Sequence, residues 1–165
     1  MGTKNLILDK ETVERKLKRM AYEILEDNME EGLIVLAGIH ESGSVVAQNI
    51  QKMLAEVSSL KTELLTITLD KRQPKEIRLD KQIDFTGKVI IVADDVSNTG
   101  RTLLYALKPF LEFHPKKIQT LVLVERTHSN FPVRADYVGT SITTTLQDHI
   151  TVETAGEIIT GAWLH

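Results

Sequence analysis

The chain has 165 residues, 42% of them apolar and 26% charged, with a formal net charge of −3. That make-up fits one globular domain over 1–165 with a sizeable core; it argues against a disordered chain and gives no global basic signal for nucleic acid. Cysteine is absent, which excludes disulfides and thiolate metal sites, and no apolar run approaches the length of a membrane span. With no signal-peptide pattern at the start, the expectation is a soluble cytoplasmic protein without membrane contact.

Asp9 is a good N-cap for a first helix, in which Val13, Leu17, Met20, Ala21, Ile24 and Leu25 form one apolar stripe. The opposite face carries Arg15, Lys16, Lys18 and Arg19, balanced by Glu11, Glu14, Glu23 and Glu26. Residues 33–37 form a continuous apolar run, the pattern of a strand covered on both faces. A glycine-bracketed turn over 38–43 follows, then a helix from about 44 to 55. Residues 64–69 alternate as a strand, and 70–87 read as polar and irregular. Residues 89–93 are a second buried strand, and 103–107 read as a helix with Pro109 and Pro115 near its end. A further buried strand covers 118–124, and Tyr137-Val138 form a short one. Strands alternating with helices predict an α/β fold with a mainly parallel central sheet flanked by helices.

The stretch Val89-Ile90-Ile91-Val92-Ala93-Asp94-Asp95-Val96-Ser97-Asn98-Thr99-Gly100-Arg101-Thr102 carries most of the chemistry. Ligands of such sheets bind beyond the carboxyl ends of the strands, where this run places two adjacent carboxylates and a small polar turn. Thr99-Gly100-Arg101-Thr102 sits where a helix begins, so unpaired amides, a close-approach glycine and flanking hydroxyls together form a phosphate cradle. Neither a Walker A loop nor G-x-G-x-x-G is present. Acids beside a bound phosphate suit a ligand that also offers hydroxyls or brings Mg²⁺.

Residues 89–102 resemble the phosphoribosyl-pyrophosphate (PRPP) binding motif of the type I phosphoribosyltransferases. Asn5-Leu6-Ile7-Leu8-Asp9 ahead of the first helix, Val124-Glu125-Arg126, and Pro132-Val133-Arg134-Ala135-Asp136-Tyr137-Val138-Gly139 extend the likeness over nearly the whole chain. They are similar to the pyrimidine-operon attenuation protein/uracil phosphoribosyltransferase family. The resemblance implies a small hood built from the N- and C-terminal segments, a homodimer, and transfer of phosphoribose from PRPP to a nucleobase. Asp94 and Asp95 would hold the ribose hydroxyls near the developing positive charge. Asn98, Thr99, Gly100, Arg101 and Thr102 would hold the 5′-phosphate. Ile39, His40, Glu41, Ser42 and Gly43 would form the pyrophosphate loop, and Tyr137 and Val138 the base pocket. Mg²⁺ would arrive with PRPP, carried mainly by ligand oxygens, with Asp94 and Asp95 as the protein groups near it.

This chain departs from that pattern in two places. Ser42 stands where relatives usually place a basic residue, and an acid, Glu41, precedes it. The stretch 70–79 is shorter than the family's mobile loop, and is read either as a segment whose basic residues reach a pyrophosphate or as a solvated hairpin. Glu125 occupies the position where purine enzymes carry a lysine, which favours uracil over purines. Arg126 and Arg134 are read either as site residues or as structural partners of an acid such as Asp136. The alternative function is a nucleotide-sensing, RNA-binding attenuation regulator, whose basic face would draw on Arg15, Lys18, Arg19, His128 and Arg134. The acidic balance makes RNA the less favoured partner.

Overall fold

The computed structural model describes residues 2–165. Strand β1 (Asn5–Asp9) runs directly into helix α1 (Lys10–Asp27). The Asp9 carboxylate accepts the Thr12 amide at 2.8 Å, so the cap sits where the sequence placed it. Val13, Leu17, Met20, Ala21 and Ile24 are the buried stripe of α1. There follow β2 (Leu33–Ile39), α2 (Ser42–Val57), β3 (Lys61–Leu69), β4 (Ile77–Leu79), β5 (Val89–Ser97) and α3 (Arg101–Ala106). A 3₁₀ turn at Lys108–Phe110 then leads to β6 (Lys117–Arg126), β7 (Tyr137–Ile142), β8 (Ile150–Ala155) and β9 (Ile158–Leu164).

Six strands form the central sheet in the order β4-β3-β2-β5-β6-β7. All neighbours are parallel except β3 and β4. The apolar runs are continuous because both faces are covered. Along β2, Ile34 and Leu36 join the core beneath α1 and α2, whereas Val35 and Ala37 join the core on the α3 side with Phe85 and Phe110. This alternation follows from the two-residue repeat of a strand. Each large apolar side chain fully buried in either layer contributes roughly 1.5–3 kcal/mol.

The expected hood is present: β1, β9 and β8 form a three-stranded antiparallel sheet joining the two ends of the chain. None of its three strands is among those read from the sequence. Ile150 and Val152, alternating with polar residues, are the signal that marks β8. The expectation of irregular chain over 70–87 needs correction as well. Ile77–Leu79 pairs back on β3, Phe85 is buried, and its ring meets Phe110 edge-to-face at 4.9 Å. Residues 70–76 and 80–88 lie outside the strands, with Pro74 and Phe85 as their buried side chains. The helix read over 103–107 is α3, which ends at Ala106; Pro109, lacking an amide, stands in the 3₁₀ turn that follows. Among the described residues, no helix is long and apolar enough to cross a membrane.

Candidate active site

Strands β2 and β5 are hydrogen-bonded neighbours at the centre of the sheet, and the chain leaves both at the same edge to begin α2 and α3. The turn after β5 is a cradle. Gly100, at φ 84°, precedes α3, and a Cβ there would lie 3.1 Å from the Val133 carbonyl oxygen. Only glycine takes this backbone conformation without strain. The Thr99 carbonyl accepts the Asn130 and Phe131 amides at 2.9 and 3.0 Å, tying the cradle to the β6–β7 connection. The amides of the first turn of α3 have no helical acceptor.

Asp94 is 1% exposed. Its Oδ1 accepts the Asp95 amide at 2.9 Å, while Oδ2 is buried without a partner. Burial first, and then the neighbouring charge of Asp95, pushes the Asp94 carboxyl well above the usual carboxylate range. The Nζ of Lys71 opposes this from 3.5 Å to Asp94 Oδ1 and 3.8 Å to Asp95 Oδ1. Burial pulls the Lys71 ammonium down, but the charges of Asp94, Asp95 and Glu41 outweigh it and leave its pKa raised. Lys71, Asp94, Ser97, Asn98, Gly100 and Thr102 line one cavity of about 70 Å³. Asn98 also points a buried Oδ1 that has no partner. The Arg101 side chain instead lies over the Tyr105 ring at 5.8 Å, and its amide donates to the Thr99 hydroxyl at 3.3 Å.

The loop from Ile39 to Gly43 reaches the same place from β2. A Cβ on Gly43 would lie 3.0 Å from both the Ala93 carbonyl and Asp94 Oδ1, so glycine lets the loop rest on the end of β5. Ile39 belongs to the core, and the His40 amide is held by the Ile67 carbonyl at 2.7 Å. Glu41 is the one non-glycine residue among those described with positive φ, at φ 73° and ψ −122°. Such a conformation costs of order 1–3 kcal/mol and clusters at functional sites.

The base pocket expected from Tyr137 and Val138 is not formed by them. Tyr137 starts β7, so it lies at the amino end of its strand, and its ring is 1% exposed in the core beneath α1. Its hydroxyl lies 2.8 Å from Asp27 Oδ2 and 2.9 Å from Gln119 Oε1. Burial and then Asp27 push this phenol far up. The Val138 carbonyl, on the open edge of the sheet, accepts Arg19 Nη2 at 2.9 Å, and the Gly139 carbonyl accepts it at 2.8 Å. The concavity next to the cradle is built from other residues: Ser97, Glu125, Arg126, Thr127, Arg134 and Ser141 line about 250 Å³. Ser97 is common to both cavities. Glu125 and Ser141 are register partners on β6 and β7, and the Ser141 hydroxyl donates to Glu125 Oε2 at 3.0 Å. Asp136 makes no ion pair with Arg126 or Arg134 among the described residues. It accepts the Thr120 amide at 2.9 Å, and Arg126 donates to the Thr145 carbonyl at 2.5 Å. A larger concavity, about 700 Å³, lies at the opposite end of β2 and β3, beside Leu33, Gln51 and Lys61 and away from the carboxylates. Size therefore does not select the site; chemistry does.

A family described as the phosphoribosyl transferase domain matches residues 4–155. The bifunctional protein PyrR of Actinobacillus pleuropneumoniae is 34% identical over 159 residues, covering 90% of this chain and 89% of that protein. A pyrimidine operon regulatory protein of Lactococcus lactis is 39% identical over 152 residues, covering 89% and 88%. Among solved structures, the hypoxanthine phosphoribosyltransferase of Trypanosoma cruzi superposes with a TM-score of 0.76 at 20% identity, covering 84% of this chain and 82% of that one. A hypoxanthine-guanine phosphoribosyltransferase of Bacillus anthracis gives 0.71 at 23% identity, covering 86% and 84%.

Proposed function

We propose, from the premise that this chain belongs to the phosphoribosyl transferase domain family, that it transfers phosphoribose from PRPP to a pyrimidine base, with uracil favoured. One observation carries the reading: a buried acid with an unpartnered oxygen, Asp94, stands directly before a glycine-dependent cradle on the same strand end. The cradle from Asn98 to Thr102 binds the 5′-phosphate. Asp94 and Asp95 accept the ribose hydroxyls and face the positive charge that builds on the ring as the C1–O bond breaks. That bond's electron pair leaves with pyrophosphate, the base nitrogen forms the new bond to C1, and its proton passes to the departing pyrophosphate. The Glu125–Ser141 cavity, reached across Ser97, receives the base. Its carboxylate accepts a base N–H, and the neighbouring guanidinium groups face the carbonyl oxygens of a pyrimidine-dione.

The acid pair also fits a divalent cation, since the free oxygen of Asp94 is a hard, buried acceptor; two carboxylates are too few alone, so ligand oxygens complete the shell. Held there by Asp94, Asp95 and PRPP, Mg²⁺ would supply electrostatic stabilisation of the leaving pyrophosphate. Incubation with PRPP, Mg²⁺ and each nucleobase in turn tests the function. The expected products are UMP and pyrophosphate from uracil. Turnover with hypoxanthine or guanine but not uracil would overturn the pyrimidine assignment.

A second reading, an RNA-binding attenuation regulator, is supported by relatives named pyrimidine operon regulatory protein. Against it stand the net charge of −3 and the engagement of Arg19 with backbone carbonyls and Glu23. Binding of a pyrimidine-operon leader that weakens steeply with salt would establish it, and no binding at low salt would end it. We also assign the protein to the cytoplasm as a homodimer, which light scattering of the purified chain would check.

A further inference from the structure

The turn meant for pyrophosphate carries no permanent cation: between Ile39 and Gly43 it offers His40, Glu41 and Ser42. The permanent cation at the site comes instead from the segment after β3. Lys71 reaches over the end of the sheet to sit 3.5 Å from Asp94 and 3.8 Å from Asp95, with Glu41 near enough to favour its charge. Its head thus occupies the acids that a ribose needs. The anchorage is asymmetric. Asp94 is fixed and buried, whereas the Lys71 side chain is 52% exposed and stands outside the sheet, so the lysine is the partner that can move. A four-carbon stem lets an ammonium exchange one anion for another across a small cavity.

Resting on the phosphoribosyl-transfer reading, we propose that Lys71 has two stations: the Asp94–Asp95 pair when the site is empty, and the ligand's diphosphate when it is filled. In the second station it supplies the charge that Ser42 does not, and in leaving the first it frees the carboxylates for the ribose hydroxyls. The exchange is a specificity device. A sugar bearing both a 5-phosphate and a 1-diphosphate gives the displaced ammonium a strong new partner. A sugar with the 5-phosphate alone must displace it and offers nothing there in return. Lys71 therefore selects for the diphosphate, not for the ribose.

The test is titration calorimetry with PRPP and with ribose 5-phosphate, both in Mg²⁺, on the wild type, Lys71→Met and Lys71→Arg. In Lys71→Met, PRPP should bind roughly tenfold more weakly, the scale of a lost charge-assisted contact. Ribose 5-phosphate should bind as well as before or up to about threefold more tightly, because the carboxylates no longer have to be cleared. Lys71→Arg should keep the wild-type preference for PRPP. Equal weakening of both ligands, no change in either, or the same shift in Lys71→Arg as in Lys71→Met would each overturn the two stations while leaving phosphoribosyl transfer standing. A wild type that binds neither ligand would overturn the transfer reading itself, and this proposal with it.

Discussion

The two turns that meet over the centre of the sheet solve one geometric problem in opposite ways. Each follows a buried parallel strand, each precedes a helix, and each places a residue of positive φ just ahead of that helix. After β5 the residue is Gly100 at φ 84°; after β2 it is Glu41 at φ 73°. The β5 turn has a relaxed backbone and an unfavourable charge, the buried Asp94. The β2 turn has no buried charge and an unfavourable backbone. A site can store its cost in electrostatics or in conformation, and here adjacent strands divide the two.

The largest effect expected is on chemistry at the β5 turn. Asp95→Asn removes a carboxylate that the proposed mechanism turns toward the reacting sugar, and should lower kcat/KM by about 10²–10³-fold. Near-normal turnover in a steady-state assay would move the chemistry away from this strand. Gly100→Ala tests the relaxed backbone itself. An alanine pays for left-handed geometry and sets its Cβ 3.1 Å from the Val133 carbonyl, so it should destabilise by about 2 kcal/mol and weaken PRPP binding. Denaturant unfolding measures the first effect, and a Kd the second.

The contrast also explains what the sequence could and could not reveal. The run over 89–102 was legible because strand, acids, glycine and helix are contiguous, and the α1 stripe because its period is local. Tyr137 was misplaced because a short strand does not announce its ends. Its ring has the character of a stacking residue, but its place at the amino end of β7 and its parity turn it under α1. Glu125 and Ser141 meet only through the β6–β7 register, which no local pattern encodes. Lys71 was one cation among several in a polar stretch. Its selection depends on how β3 ends relative to β5, a fact of topology.

Asp94→Asn separates the two kinds of cost by pH. The folded Asp94 carboxyl holds its proton more tightly than the unfolded one, so its contribution to stability is full below the ordinary carboxylate pKa and declines as pH rises through the raised folded value. The neutral amide escapes that decline. The ligand-free variant should be more stable than the wild type at neutral pH, with the gain vanishing in acid. Thermal melts at several pH values provide the check, and a gain independent of pH would mean that charge is not what the β5 turn stores.

Glu41 stores its cost differently, and its variants should show the opposite pattern. Glu41→Gly exchanges a strained backbone for one that glycine adopts freely. The relief, of order 1–3 kcal/mol, is partly offset by the extra freedom glycine has when unfolded, leaving a net gain of about 1 kcal/mol. The substitution also removes a carboxylate near Lys71, which by itself would weaken that contact slightly. Glu41→Gln isolates this second term, because it keeps the strained backbone and loses only the charge. Stabilisation in Glu41→Gly but not in Glu41→Gln, persisting from acid to neutral pH where the Asp94→Asn gain changes, would assign the cost to the backbone. Equal behaviour of the two variants would assign it to the carboxylate, and the β2 turn would then store charge just as the β5 turn does.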